Sequence, residues 1–310
     1  MKQIISGSLA VFLFLAMLVS PKAVFNGAES GLLLWFQIVF PTLFPFMLVS
    51  SLMLAGGGLD IIARLFGKLS SLLFATSPNG AFAVIAGFLC GYPMGAKTSA
   101  DLVRSGRISR DEGAYLLSFC NNTSPIFIIN FIVWKTFDRE ELMLPTLLIL
   151  ILVPALLSQI FRRFYLRGRK HFPSVSEKSG NSAKAFDFSM LDSCLTDSFE
   201  SIVKVGLYII FFSILISLLK EPADGHPLLA SVLPLLEITN GILMIHGSIP
   251  DLSVSYPLVL GLTSFGGICA AAQTECMVRD AGLPFLPYIA QKLTAAAAAS
   301  LLGVIYLRVF

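Results

Sequence analysis

Phe119-Cys120-Asn121-Asn122-Thr123-Ser124-Pro125-Ile126-Phe127 lies in the middle of an otherwise apolar stretch covering residues 111–134. That stretch has the length of a membrane crossing, for which about 20 apolar residues suffice, yet its centre holds four polar residues and a proline. Asn and Ser compete for backbone hydrogen bonds, and Pro125 has no N–H to donate. The segment therefore reads as a discontinuous helix with free amides and carbonyls at its break. Ser109, three residues before Glu112, matches a capping box that starts the first half-helix.

The rest of the chain puts this break inside a bilayer. Of 310 residues, 55% are hydrophobic and 13% charged, with a mean hydropathy of +0.81, whereas soluble domains carry about 25% charged residues. The chain is expected to be an all-α polytopic membrane protein. At roughly 25 to 40 residues per crossing, loops included, it holds about eight segments. The excess of 22 Lys and Arg over 19 Asp and Glu gives a net charge of +3, too small for a nucleic-acid surface. Cys90, Cys120, Cys194, Cys269 and Cys276 form no C-x-x-C pair, and with three scattered histidines no metal-ligand spacing arises. No cofactor and no metal are expected. There is no H-E-x-x-H, no Gly-rich phosphate loop and no clustered carboxylate pair, so no enzyme is expected either. His171, His226 and His246 read as loop or interface residues.

On the N-terminal side, residues 4–20 read as a retained first span, since Pro21 argues against signal cleavage there. Residues 31–55 form a second span that Pro41 and Pro45 should bend. Residues 59–74 read as an amphipathic piece whose Arg64 and Lys68 favour the cytoplasmic face. Residues 80–103 are broken by Gly91-Tyr92-Pro93-Met94-Gly95 into two arms of about ten residues. Each covers half of a ~30 Å hydrocarbon core, the signature of a re-entrant hairpin. Beyond the central stretch, residues 142–161 span once more. A loop with Arg162, Arg163, Arg167, Arg169, Lys170, Lys178 and Lys184 follows, and its low-complexity part, 173–185, reads as a mobile linker.

The second half repeats the plan with a span at 199–219, a weakly polar helix at 228–246, a segment at 256–281 broken by Gly266-Gly267, and a last span at 284–307. The expected division is a single transmembrane domain of a first half 1–161, a basic loop 162–190 and a second half 191–310. Placing the basic clusters at 64–68, 104–110 and 162–184 inside leaves Lys22, Lys135, Arg139 and Lys220 outside. Both termini are then cytoplasmic, and 31–55 and 199–219 run in opposite directions. That is the pattern of two inverted-topology repeats, each with a re-entrant hairpin.

Gly91-Tyr92-Pro93-Met94-Gly95-Ala96, Gly106-Arg107-Ile108-Ser109 and Phe119 to Pro125 resemble the YlbJ-type sporulation integral membrane proteins, which belong with the nucleoside-recognition or gate domain proteins. Leu236-Glu237-Ile238-Thr239-Asn240-Gly241 and Ser264-Phe265-Gly266-Gly267 are similar to that family's second-half motifs, so the resemblance covers about residues 30–305. It implies a nucleoside-transporter-like fold in the inner (plasma) membrane of a sporulating bacterium, or in the membrane around the forespore. It also implies a link to moving dipicolinate towards the spore. Gln273-Thr274-Glu275 resembles the Gln-Thr-Glu of a nucleoside-transporter hairpin.

The candidate solute site combines Asn121, Asn122, Thr123 and Ser124, whose polar groups fall at mid-depth, with Gly91 and Tyr92 at the first break. Lys97 is a candidate countercharge. Gln273, Thr274 and Glu275 form the polar part of the second broken segment, and an intramembrane carboxylate is costly enough to suggest function. Asn121 to Ser124 should face Gln273 to Glu275 across a polar cavity. Lys292 lies within the last span and needs a partner. Glu237 is a candidate for it, with Asn240 on the same helix face, as a coupling site or a structural ion pair. The expected partners are a small polar solute, anionic by resemblance, the lipid bilayer and a coupling ion; oligomer formation stays open.

Overall fold

The computed structural model describes residues 2–168, 172 and 187–309. Among them every regular element is helical. Six helical stretches are long and apolar enough to cross a membrane: Pro21–Ala55, Arg110–Phe137, Glu140–Leu166, Phe188–Ala223, Leu252–Ala281 and Phe285–Val309. The chain is an integral membrane protein of the all-α class. Large apolar side chains such as Phe12, Leu72, Phe164 and Leu286 stand exposed on its outer faces, where lipid is their natural solvent. Eight segments were expected; the remaining two apolar helices, Gly7–Val19 and Gly80–Leu89, are shorter. The linker at 173–185, with Lys178 and Lys184, and the loop residues Arg169, Lys170 and His171 lie outside the described residues.

Helix α1 (Lys2–Val19) is followed by α2 (Pro21–Leu34), a π-helical turn (Trp35–Val39) and α3 (Phe40–Ala55). The crossing starts at Pro21 rather than at residue 31, because proline at the first helical position gives up no hydrogen bond. The π turn sits immediately before Pro41, where it absorbs the missing donor. The amphipathic helix α4 (Gly58–Phe74) follows.

Helices α5 (Gly80–Leu89) and α6 (Met94–Arg104) fold back on each other, as the short arms implied. Helix α7 (Arg110–Cys120) then stops, residues 121–124 are unwound, and α8 (Pro125–Phe127) resumes the path, continuing as a π-type helix through Phe137. At the start of α7 the capping box is half formed. Ser109 Oγ accepts the Glu112 N–H at 3.2 Å, but the buried Glu112 carboxylate turns away to the Ser77 N–H at 2.6 Å.

Helix α9 (Met143–Leu166) leads to the basic loop, whose ends at 162–166 and 188–190 are helical. Helix α10 (Phe188–Asp224) has 37 residues, about 55 Å at 1.5 Å per residue, and so runs well past the expected 199–219. It packs along α2 through small residues: a Cβ on Gly31 would lie 2.7 Å from Ile210 Cα, and one on Gly27 2.8 Å from the Ser213 carbonyl oxygen. Glycines four apart are what lets two membrane helices approach this closely.

The second half comprises α11 (Pro227–Val232), a 3-10 turn (Leu233–Leu235), α12 (Ile238–Ser248), α13 (Leu252–Phe265), α14 (Gly267–Val278) and α15 (Phe285–Val309). The placement of its fold-back differs from expectation. Helices α13 and α14 scarcely touch each other, so Gly266-Gly267 interrupts a crossing instead of turning it around. The chain doubles back earlier, at Leu236-Glu237, where α12 returns over the 3-10 turn; a Cβ on Gly241 would meet the Pro234 carbonyl oxygen at 2.0 Å.

The two interrupted crossings, α7/α8 and α13/α14, run antiparallel. At one end Gly282, just past α14, lies against the Arg110 guanidinium where α7 begins. At the other end Phe137 packs edge-on against Tyr256 and His246, with centroids 5.7 and 5.1 Å away. The end with Arg110 also carries the Arg107–Asp60 ion pair and the Gln291–Tyr165 hydrogen bond, and so gathers the basic residues of 104–110 and 162–167.

Candidate functional site

Four turns that break helices meet in the interior: residues 90–93, 121–124, 236–237 and 266. Gly91 has φ +90°, and a Cβ there would press to 3.1 Å from Ser124 N. The Tyr92 hydroxyl donates to the Ser264 carbonyl at 2.8 Å, and Thr123 Oγ1 donates to the Thr263 carbonyl at 3.1 Å. Cys269 N–H donates to the Leu236 carbonyl at 2.8 Å. The carbonyls freed at the 266 and 236–237 breaks are thus taken up by donors from neighbouring breaks and helices, which is how non-helical backbone is tolerated away from water.

Asn121 is the hub. Its Nδ2 donates to Thr274 Oγ1 at 2.8 Å and to the Tyr288 hydroxyl at 2.9 Å, and its Oδ1 accepts the Ala96 N–H at 3.3 Å. One side chain therefore ties the first break to α6, α14 and α15. Asn122 Nδ2 donates to the Phe119 carbonyl at 2.6 Å. Ser124 Oγ accepts the Phe127 N–H at 3.3 Å and caps α8.

Lys292 reaches this junction from α15. It is 2% exposed, and its Nζ donates to the Asn121 carbonyl at 3.0 Å and to Asn122 Oδ1 at 3.4 Å, with the Tyr92 ring centroid 4.9 Å away. The expected Lys292–Glu237 pair does not form. Glu237 instead caps α12: Oε1 accepts the Thr239 N–H at 3.0 Å, and Oε2 accepts the Asn240 N–H and Nδ2 at 2.9 and 2.8 Å. A carboxylate whose oxygens satisfy three donors at a helix N-terminus is already well placed.

Beside the junction lies a cavity of about 580 Å³, the size of a small-molecule site. Gly91, Tyr92, Thr123, Ser124, Glu237 and Gln273 line it, with Asn130 and Lys135 further along and Phe46, Phe127 and Phe131 among its apolar walls. The Leu235–Asn240 turn also contributes to a second crevice of about 1070 Å³, so Glu237 faces one space and Asn240 the other.

The structure brings most of the sequence-predicted residues together, with two exceptions. Lys97 is buried on α6 but away from the cavity, paired with Asp101 at 3.0 Å and with Asp197 of α10 at 3.1 Å. Glu275 pairs with Arg279 at 3.2 Å near the surface, because it falls about 100° around α14 from the buried Thr274. Asn121 touches Thr274 directly, so the two polar clusters meet there without a gap, while Thr123, Ser124 and Gln273 line the same cavity. Tyr288 and Asn130 escaped the sequence reading. Tyr288 was legible in hindsight from its place one turn before Lys292, on the same face of α15.

With this geometry in place, the chain proves similar to the Sporulation integral membrane protein YlbJ of Bacillus subtilis (strain 168), at 25% identity over 321 aligned residues that cover 92% of this chain and 78% of that protein. The similarity supports the YlbJ-type resemblance carried by the motifs at 91–96, 106–109 and 119–125. No family model matches the chain. No solved structure matches it either.

Proposed function

We propose that the chain carries a small polar solute across a bacterial plasma membrane, and that the solute binds in the cavity beside the four helix breaks. The observation that carries this reading is the convergence of those breaks at mid-depth. Helix α7 has 11 residues and α14 has 12, so both breaks lie about 15–20 Å from the basic end, near the middle of the membrane. Unwound helix pairs at that depth are the usual solute site of secondary transporters.

In this reading the protein is one transmembrane domain of two inverted, nucleoside-transporter-like halves. The fold-back α5/α6, the interrupted crossing α7/α8 and α9 correspond to the fold-back at 227–248, the interrupted crossing α13/α14 and α15. The fold-backs are re-entrant and the basic end is cytoplasmic. Because α13/α14 crosses instead of turning back, α15 runs from that end to the other, where Tyr306 packs against Tyr256. The C-terminus therefore falls on the opposite side, and the expectation of two cytoplasmic termini is not kept. The name of the YlbJ relative supports a role in sporulation, with the membrane around the forespore as one place of action. The protein moves its solute without chemical change.

The first reading of the solute is a flat, small anion of the dipicolinate type. Lys135, exposed on the cavity lining with its Nζ 5.3 Å from the Phe131 ring centroid, offers countercharge, as does the N-terminus of α8. The second reading is a neutral solute such as a nucleoside. It is favoured by the pairing of Lys97 with two carboxylates, which removes that cation from the site, and by the aromatic walls. Equilibrium binding to purified protein, followed by proteoliposome uptake, tests both against dipicolinate and uridine. Binding of dipicolinate that falls at least tenfold in Lys135→Gln supports the anion; uridine binding indifferent to Lys135 supports the neutral solute. Retention of neither, with uptake at the level of empty liposomes, sinks the carrier reading and leaves a structural protein of the spore envelope.

A further inference from the structure

Two buried lysines behave differently. Lys97 is matched by two carboxylates, whereas no carboxylate among the described residues pairs with Lys292. Its ammonium has three donors. Two of them meet oxygens, a main-chain carbonyl and an amide carbonyl, and the Tyr92 ring face lies over the remaining side. These are uncharged, hard oxygen donors together with a π face, the kind of surroundings that hold a bare monovalent cation. The location adds to this. Asn121 ends α7, an 11-residue helix, and the unsatisfied carbonyls at such an end carry about half a negative charge. In transporters, the C-terminal ends of half-helices and their unwound carbonyls coordinate Na+.

We infer that the Lys292 ammonium occupies, as a built-in cation, the position that a coupling ion such as Na+ would take at the unwound end of α7, so that the solute site is complete without a bound monovalent cation. The inference rests on the carrier reading for what is coupled, and it replaces the expected external coupling ion with a residue of the chain. Burying an ammonium without a carboxylate costs several kcal/mol unless dipoles compensate it. Here the end of α7, Asn122 and Tyr92 supply the compensation. Removing the ammonium should leave a vacant set of oxygens of the right type and charge to accept a free ion.

The test uses stability and ion binding of the full-length protein in detergent, so it can fail independently of any transport assay. Wild-type protein should melt at the same temperature in NaCl, KCl and choline chloride and should bind no 22Na+. Lys292→Ala and Lys292→Met should melt lower in choline chloride. Saturating Na+ or K+ should then raise the Lys292→Ala midpoint by about 5 °C or more, the rise expected for an ion at roughly a hundred times its Kd. Lys292→Met, whose longer side chain fills the vacancy, should respond less. A Lys292→Ala protein whose midpoint ignores monovalent cations overturns the inference, whether or not it is destabilised, because a purely structural lysine behaves that way. Should neither variant be recovered folded, the wild-type arm decides: stoichiometric 22Na+ binding, or a Na+-dependent midpoint, overturns it, and indifference to the cation supports it.

Discussion

The two interrupted crossings reach the same geometry by different chemistry. In α7/α8 the helix is broken by side chains. Asn121 and Asn122 take up hydrogen bonds elsewhere, Ser124 caps the next half-helix, and Pro125 starts it without needing a donor. In α13/α14 the helix is broken by the backbone. Gly266 and Gly267 adopt φ +90° and +79°, which costs other residues strain, and no side chain caps α14. The fold-backs differ in the same way: the arm α6 is tied to α10 by the Lys97–Asp197 pair, while α12 is capped from within by Glu237. Two interrupted crossings can therefore reach a similar break with little sequence in common, since polar side chains in one do the work of glycine dihedrals in the other.

If the glycine break is specified by its backbone, Gly266→Val should have the largest effect of any single change at the junction. The left-handed conformation alone costs about 1–3 kcal/mol for a residue with a side chain. A Cβ would also lie 2.8 Å from Tyr92 Cζ, forcing the ring off the Ser264 carbonyl. Thermal melting of the detergent-solubilised protein should show loss of most of the folded population, and an unchanged midpoint would break the comparison. Next in size is Asn121→Ala. It strips partners from Thr274, Tyr288 and the Ala96 N–H at once, a cost of about 2–4 kcal/mol when buried groups are left unpaired. Asn122→Ala, which loses fewer contacts, should cost less, and the reverse order would show that the hub is misplaced.

The same contrast explains what could be read beforehand. The first break was legible because Asn, Ser and Pro at the centre of an apolar run leave few alternatives, and the half-length arms of α5 and α6 follow from counting residues around Gly91 to Gly95. The second half misled. Gly266-Gly267 was seen as a break, but glycines mark a left-handed turn without saying whether the next helix folds back or continues. The true fold-back at Leu236-Glu237 carries no glycine or proline at its tip. Lys97 differs from Lys292 in sequence only by Asp101 one turn on; its second partner, Asp197, lies 100 residues away on a different helix. Glu237 invites a counterion in the sequence because it is a charge in an apolar segment, whereas the N-terminus of α12 satisfies it locally.

The ties of the two fold-backs should be of similar size and separable by salt. Lys97→Met removes a buried ammonium whose partner Asp197 has a side chain 59% exposed, so screening limits the loss to about 1 kcal/mol. Asp101 keeps its Arg104 contact. Glu237→Gln removes a buried charged acceptor from the Thr239 and Asn240 N–H groups, worth about 1–2 kcal/mol. The Lys97→Met effect should shrink in about 1 M salt, where the Debye length falls to about 3 Å, while the Glu237→Gln effect should not. Melting midpoints of both variants at low and high salt decide this; equal salt sensitivity would mean that Glu237 is more open to solvent than the structure has it.

The smallest expected effect falls on Ser124. Its Oγ caps α8 through the Phe127 N–H, and replacing an N-cap serine by alanine costs about 1 kcal/mol, by glycine only a few tenths. Pro125 at the first helical position lowers the need for the cap further, since it leaves one fewer N–H to satisfy. Ser124→Ala should thus lower the melting midpoint slightly and Ser124→Gly hardly at all. The converse change in the other half, Gly266→Ser, should gain nothing from its new hydroxyl, because φ +90° is unsuited to a serine N-cap and the Tyr92 ring occupies the space the side chain needs. A stabilised Gly266→Ser protein would show that the two breaks are interchangeable after all, and that the difference between them is history rather than geometry.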